Sequence, residues 1–370
     1  MNCKSNQGHL YSQFWSLSYY MRRKLGLIQV FRGFAALAVV LCHLSGSTED
    51  YFNTSYLGGF FLTGYIGVDF FFVLSGFIIT YVHFKDVENG TNKVSFLKKR
   101  FIRIYPFYWI IATVYLILLI LAKGKTTHLD HTLSFYAVND WLFVIGSYLL
   151  IPMNTNPLIG VTWSLTYELL FYAVFFICIL IGVQKSRYLV IIWAVLIFSR
   201  LALLPFYEIP DILIFNERII QFLSGCLVAY LILKSYFVNR ILWIVLFIFG
   251  LLLLYIAYPD SLKHPFGILV LALVMGLIVY KIVIVDIQKD NKYPDLLLLL
   301  GEASYSIYLS HVIFLSIFLR AFRMLVEMLS IQNFYALQVM ISGMFLLIVF
   351  GGVLVYRYVE SPVLAYFNKK

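Results

Sequence analysis

Runs of about twenty apolar residues follow one another along almost the whole chain, separated by short polar segments. A helix rises about 1.5 Å per residue, so such a run is long enough to cross a hydrocarbon core of about 30 Å. Ten runs are predicted to be transmembrane helices, at residues 25–44, 62–82, 106–122, 162–182, 189–206, 213–233, 241–258, 266–284, 296–319 and 335–356. The pattern therefore predicts an all-α, polytopic membrane helix bundle of about ten transmembrane helices.

A further apolar segment, residues 141–151, is too short to cross a bilayer comfortably and is followed by Pro152 and Pro157. We predict that it is re-entrant or lies at the membrane interface, because irregular backbone at membrane depth is tolerated only where protein surrounds it. If it crossed, Lys185 and Arg187 would face outward, against the usual charge bias of membrane proteins. Ten crossings therefore remain the predicted count.

The composition excludes a soluble enzyme, since 62% of the 370 residues are hydrophobic and only 12% are charged. A net charge of +10 would suggest a nucleic-acid partner in a soluble chain. In a membrane protein it informs on orientation instead, and no nucleic-acid partner is expected. The four cysteines show no CxxC spacing, so neither a disulfide framework nor a metal site is expected.

Basic residues are distributed unevenly between the predicted loops. With the N-terminus inside, twenty of the 28 lysines and arginines fall on the cytoplasmic side, five fall outside and three lie within spans. The positive-inside rule therefore predicts that both termini are cytoplasmic. We expect a cytoplasmic segment at 1–24, one transmembrane domain at 25–360 and a cytoplasmic tail at 361–370.

The first span contains an arginine and a histidine, which are costly at membrane depth and are often functional there. Arg32 and His43 are eleven residues apart. At 100° per residue this spacing returns to within about 20° of the same helix face, about 16 Å further along the axis. The two side chains are therefore predicted to line one cavity at two depths, although a structural role is the simpler alternative for either residue.

The second span begins with the segment GYIGVDFFFVLSGFIIT. Four small residues in it are predicted to allow close helix approach: Gly64, Gly67, Ser75 and Gly76. Packing does not explain Asp69, a buried carboxylate that is suited to orient a histidine such as His43. An ion pair with a structural arginine is an equally good interpretation of Asp69.

The cytoplasmic segment FLKKRFIRIYP contains four cations, Lys98, Lys99, Arg100 and Arg103. Basic inner loops commonly bind anionic lipid, which is the first interpretation of this segment. The second is a site for a phosphorylated donor, because guanidinium groups bind phosphate oxygens through paired hydrogen bonds.

Two later spans add polar groups near their outer ends. The segment TWSLTYELLFY contains Trp163, Tyr167 and Glu168, and the segment GEASYSIYLSH ends at His311. An interfacial aromatic belt accounts equally well for the tryptophan and the tyrosine. Four side chains on four helices are thus predicted at similar outer depth, where they imply a hydrated pocket: His43, Asp69, Glu168 and His311.

Six segments in this order resemble the acyltransferase 3 family of integral-membrane acyltransferases, over about 25–362. They are Arg32 followed after ten residues by His43, GYIGVDFFFVLSGF, RFIRIYP with Arg100 and Arg103, WSLTYELLFY, SYSIYLSH and the closing VESP. The last departs from the family's usual Glu-Arg-Pro or Glu-Lys-Pro by having Ser361, which leaves the role of this element open.

The resemblance implies transfer of an acyl group, usually acetyl from acetyl-CoA, to a hydroxyl of an extracytoplasmic glycan. The acceptor would be exopolysaccharide, O-antigen, a similar surface polymer or a lipid-linked glycan of the cell envelope. The protein would lie among the lipids of a bacterial cytoplasmic membrane. His43 matches the family's essential histidine and Arg32 its essential arginine, while Arg100 and Arg103 match the basic loop associated with donor binding. Acetyl-CoA is then a co-substrate, and no bound cofactor is expected.

On this hypothesis Arg32, Arg100 and Arg103 hold coenzyme A, and His43 acts as general base on a sugar hydroxyl. Asp69 or Glu168 would orient the histidine. A last set of residues would line the acceptor pocket: Trp163, Tyr167 and His311. Intramembrane charges are also typical of transporters and flippases, which form the main alternative class. A third alternative is a membrane scaffold without catalytic activity, but such a role would not explain why Arg32 and His43 share one helix face.

Overall fold

The computed structural model of the protein describes residues 25–122, 133, 135–153, 155–203, 212–236, 238–256, 265–288, 292–330 and 333–368. The cytoplasmic segment predicted at 1–24 and the last two residues of the predicted tail lie outside the described residues.

The described residues form α-helices with short 3₁₀ and π segments and contain no strand, so the predicted all-α class is confirmed. The α-helices are α1 (Gly26–Phe52), α2 (Ile66–Asn89), α3 (Lys93–Leu121), α4 (Val138–Tyr148), α5 (Trp163–Leu203), α6 (Ile219–Leu233), α7 (Arg240–Ile256), α8 (Pro265–Gln288), α9 (Asp295–Glu302), α10 (Ser304–Met328), α11 (Phe334–Val355) and α12 (Ser361–Asn368). A 3₁₀ segment, Tyr56–Tyr65, leads into α2, and a π-helical turn, Tyr356–Glu360, joins α11 to α12.

Seven helical stretches of the described residues are long and apolar enough to cross a membrane. They are Gly26–Phe52, Tyr56–Asn89, Lys93–Leu121, Gly160–Leu203, Phe266–Gln288, Ser304–Met328 and Phe334–Asn368. Two shorter apolar helices, Ile219–Leu233 and Arg240–Tyr255, correspond to two further predicted spans. The chain therefore has the helices of a multi-pass membrane protein, while the count of ten and the cytoplasmic termini stay predictions.

The long helix α5 is broken at Gly182, whose backbone has φ 77° and ψ 166°. Only glycine adopts this conformation readily, because it has no Cβ. Beyond the break, Trp193 joins an apolar cluster that also includes Leu170 and Val174. In a straight helix Leu170 and Trp193 would be about 35 Å apart, so the chain folds back at Gly182. The predicted runs 162–182 and 189–206 thus pack beside each other.

Glycines bring three helices of the core into backbone contact. A Cβ on Gly64 would overlap the carbonyl oxygen of Ala38, and one on Gly67 would overlap that of Ala35. Likewise, a Cβ on Gly76 of α2 would overlap the carbonyl oxygen of Phe222 in α6. The prediction that these glycines serve close helix approach is confirmed.

The short helix α4, Val138–Tyr148, overlaps the segment 141–151, which is predicted to be re-entrant or interfacial. Its eleven residues rise only about 16 Å, roughly half of a hydrocarbon core. The indole of Trp109 in α3 donates to the carbonyl oxygen of Tyr148 at 3.0 Å, and the Tyr105 hydroxyl donates to that of Leu149 at 3.1 Å. Side chains of α3 thus satisfy the carbonyl groups at the end of α4, as a segment buried against protein requires.

The start of α1 is held by a carboxylate from another helix. Oδ2 of Asp286, in α8, accepts from the backbone N–H of Leu27 at 2.8 Å and of Ile28 at 3.4 Å. Oδ1 of the same residue accepts from the Tyr293 hydroxyl at 2.9 Å. The first N–H groups of a helix have no partner within the helix, so Asp286 acts as a distant cap. This contact fixes the position of α1 relative to α8.

Close packing of α2 and α6 predicts a large cost for adding a single methyl group. We expect Gly225→Ala to destabilise the protein by about 1–3 kcal/mol, because its Cβ would overlap the Val73 carbonyl oxygen. Gly343→Ala, in α11, is the matched control, since nothing lies within 4 Å of a Cβ there. Thermal unfolding in detergent should show a lower midpoint for Gly225→Ala only. Equal midpoints for the two variants would contradict the packing.

Candidate functional site

A cavity of about 350 Å³ lies between α1, α2, α3, α5 and α10. One wall is apolar and comes mainly from α2, with Phe71, Phe72, Leu74 and Ile78. The polar lining comes from all five helices: Gln29, Arg32, Ser75, Arg100, Arg103, Ser164, Glu168, Tyr172, Ser304, Tyr305 and Tyr308. The cavity therefore gathers the charged side chains of segments that are far apart in the sequence.

Three arginines predicted to bind a donor, Arg32, Arg100 and Arg103, all line this cavity. Residues 100 and 103 are one turn apart on α3, so they share a helix face. Lys98 and Lys99, just before this pair, are exposed. The basic segment thus separates into an inward arginine pair and an outward lysine pair, a division that its composition did not reveal.

Neighbouring polar groups orient the Arg32 guanidinium. Nη1 donates to Oε1 of Gln29 at 3.0 Å, within α1, and Nη2 donates to Oγ of Ser304 at 3.0 Å, at the start of α10. Both acceptors are neutral, so the positive charge of Arg32 is hydrogen-bonded but not neutralised by these contacts. Arg32 therefore presents a fixed cation to the cavity.

Arg103 is held by a residue to which the sequence analysis gave no role, Glu360 in the VESP segment. Its carboxylate is 1% exposed and lies 3.7 Å from Nη1 of Arg103. Its other oxygen accepts from the Ser306 hydroxyl at 2.6 Å. The π-helical turn Tyr356–Glu360 directs this carboxylate inward. The VESP segment therefore orients an arginine of the cavity through Glu360, and Ser361 takes part in neither contact.

Glu168 lies at the cavity wall between the arginines and α2. Its carboxylate accepts from the Tyr172 hydroxyl and, at 3.4 Å, from the Ser75 hydroxyl. The guanidinium of Arg100 lies 5.6 Å from the centre of the Tyr172 ring. Glu168 thus belongs to the arginine end of the cavity, and the contacts just described are not with His43.

His43 and His311 face each other across α1 and α10. Nε2 of His311 lies 3.2 Å from Nδ1 of His43, and the ring centres are 5.0 Å apart. His311 is 1% exposed and His43 is half-buried. Both histidines are predicted at similar outer depth from the sequence, and the structure brings their rings into contact.

Backbone carbonyl groups fix the protonation pattern of this histidine pair. Nδ1 of His311 lies 2.6 Å from the carbonyl oxygen of Tyr308, and Nδ1 of His43 lies 3.0 Å from that of Val39. A carbonyl oxygen only accepts, so each Nδ1 carries a proton. Neutral His311 then offers the lone pair of Nε2 to the Nδ1–H of His43. In neutral His43 the basic lone pair is consequently on Nε2.

Tyr308 connects the histidine pair to the cavity. Its side chain lines the cavity, and its ring centre lies 6.1 Å from that of His311. Its hydroxyl is 2.8 Å from Oγ of Ser164 and donates to the carbonyl oxygen of Val161 at 2.8 Å. The histidines therefore lie just beyond the Tyr308 end of the cavity. Arg32 binds Ser304, which lies about one helix turn before Tyr308 on α10.

The structure gives Asp69 partners other than His43. Its carboxylate, 2% exposed, accepts from Nε2 of Gln221 at 2.6 Å and lies 3.5 Å from Nη1 of Arg218. The Arg218 guanidinium in turn covers the ring of Trp163 at 4.8 Å. Asp69 thus forms the ion pair with an intramembrane arginine that the sequence analysis left open as an alternative.

The two aromatic residues predicted for the acceptor pocket pack against each other beside the cavity. The rings of Trp163 and Tyr167 are 5.8 Å apart, and each lies 6.0 Å from the ring of Phe72, which lines the cavity. They form a layer between the cavity and the Asp69 ion pair. Within the described residues no three His, Cys, Asp or Glu side chains come together as a metal site requires.

Comparison with known proteins identifies the class of this site. The family model of the acyltransferase 3 family, described as an acyltransferase domain, matches residues 26–357. No solved structure matches the chain. The match covers every described helix that lines the cavity. Because the family is one of acyltransferases, the transporter alternative is set aside.

The chain is similar in sequence to several named proteins, of which three are described. It is 32% identical over 162 residues to "Protein 2 in picA locus" of Rhizobium radiobacter, which covers 40% of this chain and 79% of that protein. It is 28% identical over 280 residues to the exopolysaccharide production protein ExoZ of Rhizobium meliloti, with 71% and 80% covered.

The third relative is the peptidoglycan O-acetyltransferase OatA of Listeria monocytogenes, 31% identical over 162 residues. That alignment covers 42% of this chain and only 24% of the much longer relative. Similarity to named O-acetyltransferases agrees with the family model, which spans most of the chain. The chain therefore belongs to the acyltransferase 3 family and is an acyltransferase.

Proposed function

We propose that the protein is a membrane O-acetyltransferase that moves an acetyl group from cytoplasmic acetyl-CoA to a hydroxyl of an extracytoplasmic polysaccharide or lipid-linked glycan. One observation carries the proposal. A single cavity is lined by Arg32, Arg100 and Arg103, and the hydrogen-bonded pair of His43 and His311 lies just beyond its Tyr308 end. The arrangement combines an anion-binding region with a general base, as transfer from a phosphorylated donor to an alcohol requires.

The arginines suit the phosphate groups of coenzyme A. Guanidinium groups bind phosphate oxygens through paired hydrogen bonds and keep their charge at any physiological pH. The pantetheine arm would then extend along α1 from Arg32 towards His43, over about 16 Å. The nucleotide stays at the arginine end, and only the thioester needs to reach the histidines.

His43 is assigned as the general base. Its Nε2 takes the proton from the acceptor hydroxyl while the hydroxyl oxygen attacks the thioester carbonyl carbon. Collapse of the tetrahedral intermediate breaks the carbon–sulfur bond, and the proton passes from the imidazolium to the leaving thiolate. The products are the acetyl ester and free coenzyme A, so atoms and charge balance.

His311, in place of Asp69 or Glu168, is the residue assigned to orient His43. Its Nε2 lies 3.2 Å from Nδ1 of His43, on the side opposite the basic nitrogen. When His43 becomes an imidazolium, its Nδ1–H can donate to this nitrogen and to the Val39 carbonyl oxygen. These contacts stabilise the charged form and hold the ring in one orientation.

The acceptor class is inferred from the relatives and from the aromatic layer. The names of two relatives refer to exopolysaccharide production and to peptidoglycan O-acetylation, which supports a surface glycan as acceptor. Trp163 and Tyr167, half-buried beside the cavity, offer aromatic faces of the kind on which sugar rings stack.

The direction of helix pairs supports ten crossings with both termini in the cytoplasm. Arg32 contacts Ser304, and His43 contacts His311, so α1 and α10 run in the same direction. Similarly, Asp69 contacts Gln221 while Gly76 contacts Cys226 further along, so α2 and α6 are parallel. Both pairs are parallel if α5 is two crossings that meet at Gly182 and α6 and α7 each cross once. Counting α5 as one crossing would make α2 and α6 antiparallel.

Cysteine labelling tests this topology. We expect Ser330→Cys, in the turn after α10, to react with a membrane-impermeant maleimide in intact cells, and Asn368→Cys to react only after permeabilisation. Seven crossings from the same cytoplasmic N-terminus would reverse both results. The native cysteines Cys3, Cys42, Cys178 and Cys226 are replaced by alanine beforehand.

Loss of the base tests the chemistry. We expect His43→Ala to lower acetyl transfer by about 10²–10⁴-fold, the usual contribution of general base catalysis. The measurement is release of free thiol from acetyl-CoA by purified protein in nanodiscs, with and without crude surface polysaccharide. Release by the wild type should depend on the polysaccharide.

Gly46→Ala is the matched control for this experiment, because it lies one turn beyond His43 on α1 and nothing lies within 4 Å of its Cβ. It should retain wild-type activity. Polysaccharide-dependent thiol release that persists in a folded His43→Ala variant would remove His43 from the chemistry, and no turnover of acetyl-CoA by the wild type would refute this donor.

His311 is tested through its effect on turnover. His311→Ala should lower kcat by about 10–100-fold, since hydrogen bonds to charged groups contribute about 1.5–3 kcal/mol. The KM for acetyl-CoA should stay unchanged, because His311 lies away from the arginines. His311→Gln should recover part of kcat through its carbonyl oxygen. A normal kcat in His311→Ala would refute the orienting role.

A further inference from the structure

A buried histidine and a partly exposed carboxylate lie behind the donor end of the cavity. His83, near the end of α2, is 5% exposed, and its Nδ1 lies 2.7 Å from Oδ2 of Asp86. Its other nitrogen, Nε2, lies 3.2 Å from Nη2 of Arg100. The three side chains form a chain of hydrogen bonds from a carboxylate, through an imidazole, to an arginine that lines the cavity.

The chemistry of the partners fixes the direction of each bond. A carboxylate only accepts, so His83 carries a proton on Nδ1 and donates it to Asp86. Arginine only donates, so Nε2 of a neutral His83 accepts from Nη2 of Arg100. Asp86 thus selects the tautomer of His83 that can bind Arg100, as a carboxylate does for a metal-binding or catalytic histidine.

The turn after α2 immobilises the Asp86 carboxylate. Oδ1 accepts from the Thr91 hydroxyl at 3.1 Å and from Nδ2 of Asn92 at 2.7 Å, while the Asp86 carbonyl oxygen accepts from the Thr91 backbone N–H at 3.1 Å. Gly90, with φ 62°, makes this tight turn possible. Thr91 and Asn92 belong to the loop that joins α2 to α3, and neither residue lines the cavity.

Arg100 is also fixed on its faces. Its guanidinium lies 5.6 Å from the ring centres of both Phe96 and Tyr172, and the His83 ring packs edge-on against Phe96 at 5.0 Å. The buried Nε of Arg100 has no hydrogen-bond partner within the described residues. The surrounding groups thus set the plane of the guanidinium of Arg100, which lines the cavity.

We propose that His83 and Asp86 are positioning residues that hold the Arg100 guanidinium in the orientation that binds the phosphate groups of the acyl donor. This inference rests on the proposed use of acetyl-CoA. Neither residue reaches the cavity lining, so each acts through Arg100. Their loss should weaken donor binding and leave the acyl transfer step at His43 unchanged.

The test compares steady-state kinetics of purified full-length variants with acetyl-CoA as the varied substrate. His83→Ala should raise the KM for acetyl-CoA about tenfold, which corresponds to about 1.4 kcal/mol, with little change in kcat. His83→Gln should recover most of this loss, because its side-chain oxygen can accept from Arg100. Asp86→Asn should also raise the KM for acetyl-CoA, since it removes the charge that favours the required tautomer of His83.

Glu88→Gln is the control for Asp86→Asn, because it removes an exposed carboxylate from the same helix turn and should leave KM unchanged. Unchanged KM in His83→Ala and Asp86→Asn would overturn the inference while the proposed function stands, as would a loss of kcat alone. If His83→Ala does not fold, His83→Gln and Asp86→Asn decide the question. A wild-type enzyme that does not consume acetyl-CoA would overturn the proposed donor and this inference together.

Discussion

The register between α1 and α10 governs the site, because each helix supplies one member of two polar pairs. Arg32 donates to Ser304 at one end, and His43 meets His311 at the other, eleven residues along α1. A slip of one residue would turn each side chain by about 100° around its helix and separate both pairs. The distance between Arg32 and His43 therefore depends on two packed helices and not on a loop.

Backbone contacts set this register before any polar group is considered. A Cβ on Gly301 would overlap the carbonyl oxygen of Gln29, and one on Gly33 would come within 3.1 Å of the Gly301 nitrogen. Two glycines, of which Gly33 directly follows Arg32, thus let α1 and α9 touch just before α10 begins. Because helices in lipid associate through packing and not through the hydrophobic effect, small residues of this kind fix relative positions more firmly than apolar side chains do.

The sequence predicted those features that depend on one helix at a time. Helical periodicity was sufficient to place Arg32 and His43 on one face and to recognise glycines that allow close contact. It could not show the neighbours of each polar group: Asp69 and Glu168 were considered for His43, whereas Asp69 contacts Arg218 and Gln221, and Glu168 contacts Ser75 and Tyr172. Lateral contacts depend on how the helices are arranged around one another, which no single run of residues records.

The charge balance of the cavity explains why its arginines need separate supports. Arg103 is paired with Glu360, and Arg100 lies near the Glu168 carboxylate through Tyr172, whereas Arg32 contacts only neutral acceptors. The cavity lining itself holds three guanidinium groups and one carboxylate, that of Glu168, while the carboxylates of Glu360 and Glu302 also act on Arg32. An anion inside the cavity would therefore meet more cations than carboxylates, which favours the phosphorylated donor that we propose.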